Sequence, residues 1–185
     1  MRWISLWACV LVAGMTSVAA AGGGGAPHDV KAAVTALRQD DWFSAIALAT
    51  KAIDSGELKG FTLVSIFNTR AIAYHHVNRD ADALADFAHS LDLASAPGYA
   101  KGDVGGIYSN RAGVYNSMRR YDLAVSDASE ALRLNPNDYV AYHYRGVARA
   151  KLGNFEAAIN DFRAALHIRP DFGSARAELT RYGIH

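Results

Sequence analysis

The sequence predicts an all-α chain of stacked antiparallel helix pairs, an α-solenoid. Three observations predict it. A block of residues recurs 34 positions later, alanines repeat at seven-residue spacing, and Asn-Pro and Arg-Pro steps punctuate the chain at matching places.

The recurrence is the main signal. Tyr108, Arg111, Ala124, Asp127, Ala131, Leu132 and Pro136 are echoed by Tyr142, Arg145, Ala158, Asp161, Ala165, Leu166 and Pro170. A period of this size with two helical stretches per unit describes hairpins that must stack, because none can bury its apolar face alone. Ala124 and Ala131, like Ala158 and Ala165, keep small side chains on one helical stripe where a neighbouring helix can approach closely. Asn135-Pro136 and Arg169-Pro170 end helices, since the residue before proline is pushed out of the helical region.

Taken from the start, the chain first reads as a leader. Arg2 supplies a positive charge, Trp3 to Met15 is mostly apolar, and Ser17-Val18-Ala19-Ala20-Ala21 offers small residues at cleavage spacing. Residues 1–21 are therefore expected to be a signal peptide, directing the protein to the periplasm or out of the cell. The rival is a retained anchor, against which Ser5, Gly14, Thr16 and Ser17 dilute the apolar run. With cleavage the product has no membrane segment and loses Cys9, the single cysteine, so it carries neither disulfide nor free thiol. Residues 22–27, with four glycines and Pro27, read as a flexible linker.

The helical domain is expected over 28–185. A degenerate unit occupies 26–59, where Ala33, Ala45, Ile46, Ala52 and Ile53 faintly prefigure later positions. Full units follow at 64–97, 105–138 and 139–172, with a seven-residue insertion around Gly98 to Val104 between the first two. Phe172, Ala175, Leu179 and Tyr182 then share one face, as a capping helix over 173–185 requires. Trp42, Tyr74, Tyr115, Tyr121 and Phe155 read as core aromatics.

In the last unit, Tyr142, Gly146, Gly153, Phe155, Ala158, Phe162, Ala165 and Pro170 follow one another as aromatic, glycine, aromatic, alanine and proline positions at fixed spacing. This run resembles the tetratricopeptide repeat (TPR) family, and the chain looks like an exported bacterial member of it. Arg145 stands where that family usually has leucine, Ala128 replaces an aromatic, and Ala96-Pro97 displaces a closing proline. The resemblance implies a right-handed superhelix whose first helices line a concave groove. Onto that groove it maps Ser65, Asn68, Ile72, His75 and His76, then Ser109, Gly113, Asn116 and Ser117, then Val140, His143, Val147 and Lys151. An extended peptide or one helix of a protein partner is the implied ligand. Ile72, Gly113 and Val140 occupy the places where chaperone-tail binders hold a terminal carboxylate, which disfavours that ligand.

One feature needs no family name. Arg70 and Asp86, Arg111 and Asp127, and Arg145 and Asp161 are each 16 residues apart, while the faint first unit has Ala32 and Leu48 there. Charges that appear and vanish together are expected to touch as ion pairs stapling each hairpin. The alternative is a solvated charge at each place.

Chemistry is otherwise sparse. Lys and Arg number 19 against 18 Asp and Glu, leaving no basic face at the level of the whole chain to attract nucleic acid. His75, His76, His89 and His143 lack a carboxylate or cysteine at ligand spacing, so no metal is expected. Gly22 to Gly25 is not followed by Lys-Ser or Lys-Thr, no serine sits in a nucleophile elbow, and no cofactor motif occurs. The expected role is a non-enzymatic scaffold or assembly factor of the cell envelope. A self-assembling structural subunit and a small helical hydrolase are the other readings.

Overall fold

A computed structural model describes residues 25–184, without the side chains of residues 101 and 102. The leader and Cys9 lie outside the described residues. From Ala26 to Arg181 the chain is helical in pairs: α1 (Ala26–Arg38) and α2 (Trp42–Asp54), α3 (Gly60–His76) and α4 (Asp80–Ala94), α5 (Lys101–Ser117) and α6 (Tyr121–Leu134), α7 (Tyr139–Lys151) and α8 (Phe155–Ile168), then α9 (Gly173–Arg181). Each helix packs on its hairpin mate and each pair on the next, an all-α solenoid.

The four turns inside the hairpins close identically. Asp40, Asn78, Arg119 and Gly153 are left-handed, with φ of 59°, 60°, 59° and 84°. The amide after each donates to the carbonyl five residues back, as Asp41 N to Ala36 O at 3.0 Å and Asn154 N to Arg149 O at 2.8 Å. This closure satisfies the last carbonyls of the first helix and sets the angle at which the second returns. Only the fourth turn uses glycine, the residue that pays no steric penalty there.

Alanines make the hairpins tight. Ala45, Ala83, Ala124, Ala128, Ala131, Ala158 and Ala165 are fully buried, so the helices approach over small side chains. Phe87 and Phe162 fill the gaps between repeats. At the C-terminal end Ala175 and Leu179 are buried, and Phe172 and Tyr182 pack beside them, so α9 covers the apolar side of the last hairpin.

Three boundaries differ from the expectation. The flexible linker stops short of 27, because Pro27 sits in the first turn of α1 and Glu57 caps the Ala26 amide at 3.4 Å. The first full unit starts four residues before 64, since α3 runs from Gly60. The insertion at 98–104 is largely helical, lengthening α5 to 17 residues and leaving 95–100 as the connection. Phe155, read as core, is 53% exposed at the start of α8.

The inner helices and their candidate groove

Three arginines occupy equivalent places on α3, α5 and α7, and each reaches an aspartate on its own second helix. Arg70 Nε donates to Asp86 Oδ2 at 2.7 Å and its Nη2 to Oδ1 at 2.9 Å. Arg111 repeats both distances to Asp127. Arg145 Nη2 meets Asp161 Oδ1 at 2.8 Å, and Arg149 Nη1 adds a bond to Oδ2 at 2.8 Å. These forked pairs are largely sheltered from water, which makes them stronger and more geometrically demanding than surface pairs. Aromatic faces complete the arginine sites, with Phe67 and Tyr74 about Arg70 and Tyr108 and Tyr115 about Arg111. In the last unit Arg149 replaces the second ring.

Two of these arginines also reach backward. Arg70 Nη1 donates to Thr50 Oγ1 of α2 at 3.0 Å, and Arg145 Nη1 to Ser129 Oγ of α6 at 3.4 Å. A single guanidinium thus ties its hairpin together and ties it to the previous one.

Along the inner helices the sequence-derived groove residues divide into two groups. On α3, Ser65, Asn68, Ile72 and His75 are half-buried and His76 is exposed. Asn110 Nδ2 donates to Asn68 Oδ1 at 3.3 Å, a bond that spans α5 and α3. Ile72 rests on the cluster around Phe87. His76 stacks on Trp42 of α2, centroids 3.9 Å apart and planes 7° from parallel. Burial and then the neighbouring His75 lower the His76 pKa.

The second group packs inward. Ser109 is only 2% exposed, with its hydroxyl unpartnered among the described residues, so it is not a groove residue. It lies one turn from Gly113 on α5. The Tyr144 ring closes over Gly113, where an added Cβ would stand 2.9 Å from Cζ. Asn116 belongs to this seam too, donating from Nδ2 to the Tyr144 carbonyl at 2.9 Å. His143 sits among Tyr144, Phe162 and Phe172, its Nδ1 buried without a partner among the described residues, and burial lowers its pKa. Val147 packs on the last core cluster, and Lys151 is exposed. Asn110 and Tyr144, which lie on the inner helices beside these positions, were absent from the sequence reading; their place one residue after Ser109 and His143 was the available signal.

His75, Asp80 and Ser117 form a polar cluster beside the groove. His75 Nδ1 is 2.7 Å from Asp80 Oδ1, and the Ser117 hydroxyl is 3.1 Å from Asp80 Oδ2 and 2.7 Å from the Val114 carbonyl. The serine thus faces the acid and a carbonyl, not the imidazole that would have to take its proton. Among the described residues no three His, Cys, Asp or Glu side chains gather as metal ligands, and no helix is long and apolar enough to cross a membrane. An open cleft of about 620 Å³ lies at the other end, between Asp29, Thr50, Lys51, Asp54 and Glu57, where Lys51 already pairs with Asp29 at 3.0 Å.

Comparison with known proteins agrees with this geometry. Residues 106–138 and 139–172 each match a tetratricopeptide repeat model, so the chain carries such repeats. It is 27% identical over 86 residues to heat shock protein STI1 of Saccharomyces cerevisiae, covering 46% of this chain and 14% of that protein. The chain thus spans a small fraction of such curated relatives. In structure it is similar to YrrB, a TPR protein described as having an unusual peptide-binding site, with TM-score 0.65, 17% identity, and 84% and 74% of the two chains covered. It is also similar to the first TPR of Spaghetti (RPAP3), solved bound to the HSP90 peptide SRMEEVD, with TM-score 0.59, 23% identity, and 66% and 91% covered.

Proposed function

We propose that this chain, with its tetratricopeptide repeats at 106–172, is a binding module that holds an extended peptide or one helix of a protein partner along α3, α5 and α7. The observation that carries the reading is the amide pair between α3 and α5. The single bond from Asn110 Nδ2 to Asn68 Oδ1 leaves both N–H groups of Asn68 and the oxygen of Asn110 without partners among the described residues. A donor and an acceptor side by side on a half-buried surface match the C=O and N–H of a peptide backbone. Ser65, Ile72, His75 and His76 flank the pair, and Val147 and Lys151 continue the face on α7; Asn116 and His143 shape it from below. The peptide complexes of the structural neighbours support the class of ligand.

The role we assign is that of an exported scaffold or assembly factor of the cell envelope, supported by the leader-like residues 1–21 and by the absence of a paired nucleophile and base among the described residues. Photo-crosslinking tests the site. A benzoylphenylalanine at Ile72 is expected to capture a partner protein in cells, and one at Ala85 on the outer face is not. Equal capture from both, no capture at Ile72, or capture at Ile72 that survives Asn68→Ala with Asn110→Ala, overturns the groove. Light scattering that grows with concentration without partner would instead favour a self-assembling subunit.

A further inference from the structure

Charge is divided between the two layers of the solenoid. The second helices α2, α4, α6 and α8 carry ten Asp or Glu against three Lys or Arg. The described side chains of the first helices α1, α3, α5 and α7 carry two against seven. A chain with net charge +1 is thus strongly polarised from inside to outside. Arg70, Arg111 and Arg145 are spent on Asp86, Asp127 and Asp161, each pair a dipole with its positive end on the inner helix. Asp161 takes Arg149 as well, so this cluster of two arginines and one aspartate keeps one positive charge in excess. On the inner helices Asp29 is neutralised by Lys51. Lys31 and Arg38 on α1 and Lys151 on α7 are exposed and have no carboxylate partner among the described residues. Between them the floor is uncharged, built of Asn68, Ile72 and Asn110. Asp80 is engaged by His75 and Ser117, while Asp40 lies near His76 and Glu178 near His143.

We infer that the groove takes an acidic segment lying within its partner's chain, with Asp or Glu side chains toward Lys31 and Arg38 at one end and Lys151 at the other. This rests on the peptide-groove reading above. A neutral polar floor between cationic ends suits a backbone held by the asparagine amides while acidic side chains find the lysines and arginine. A free chain end is not required, because nothing cationic stands on the floor to hold a terminal carboxylate.

Panning the full chain against random dodecapeptides displayed inside a carrier loop, with both ends blocked, tests this. Enriched peptides are expected to be acidic, with affinity falling about tenfold or more between 50 and 300 mM NaCl as screening removes the attraction. The exposed triple variant K31Q/R38Q/K151Q, with an unchanged thermal midpoint, is expected to lose binding to a similar extent. Enriched peptides that are neutral or basic, binding that needs a free carboxyl terminus, or full binding by the triple variant overturns the acidic assignment. If those peptides still depend on Asn68 and Asn110, the groove itself stands. If no enriched peptide loses binding to N68A/N110A, the peptide groove fails and the acidic assignment with it.

Discussion

Arg111 and Asp127 meet fork to fork across α5 and α6, Nε to Oδ2 at 2.7 Å and Nη2 to Oδ1 at 2.9 Å. Replacing Asp127 by Asn removes the charge and leaves a sheltered guanidinium unpaired, so stability is expected to fall by about 3 kcal/mol. In a chain of this size that lowers the thermal midpoint by roughly 10 °C. Circular dichroism melts would show it, and an unchanged midpoint would mean the pair is not a staple. Replacing both partners with Met and Leu is expected to restore most of the loss, since it leaves no orphan charge.

Gly113 and Gly146 are equivalent in crowding but not in consequence. A Cβ on Gly146 would stand 2.6 Å from Cε1 of Phe162, a ring with no exposure and nowhere to go. Gly146→Ala is therefore expected to destabilise by about 2 kcal/mol, overpacking outweighing the roughly 1 kcal/mol that alanine gains in a helix. At Gly113 the neighbour is the tip of the half-buried Tyr144, which can swing aside, so Gly113→Ala is expected to be near neutral. Urea unfolding of both variants checks the order; a larger loss at Gly113 would contradict it.

Ser109 is buried with a hydroxyl unpartnered among the described residues, a group whose desolvation is uncompensated. Ser109→Ala is expected to raise stability by about 1 kcal/mol and to leave partner binding unchanged. Reduced binding with an intact fold would return Ser109 to the groove.

His143 links stability to pH. Burial holds its pKa below the ordinary 6.5, with Glu178 opposing the shift. The unfolded chain therefore takes up the proton first as pH falls below about 6.5, so this contribution to stability is complete above that pH and is lost on acidification. His143→Phe, which suits a site walled by Tyr144, Phe162 and Phe172, is expected to flatten the fall between pH 7.5 and 5.5 in urea midpoints. An undiminished fall would place the sensitivity elsewhere.

Some of this was legible from spacing alone. The 16-residue interval between Arg70 and Asp86, kept at Arg111 and Arg145, already placed the two charges on facing helices. The equivalent left-handed turns at Asp40, Asn78 and Arg119 were not legible, because three unlike residues occupy one backbone state and only Gly153 advertises it. The groove was read in part. Position on the first helix identified the inner face, yet could not say that Ser109 is buried or that α7 lies over Gly113 and Asn116.

Periodicity along one chain determined the helix pairs, their tight alanine contacts and the pairing of Arg with Asp, since these depend on which residues share a helical face. The lean of α7 onto α5 through Tyr144 and Gly113 was decided only in three dimensions, and so was the surviving surface between Asn68 and Asn110. Both depend on how closely successive pairs stack, and that distance is set by side chains from different repeats meeting, a relation that no spacing within a single repeat records.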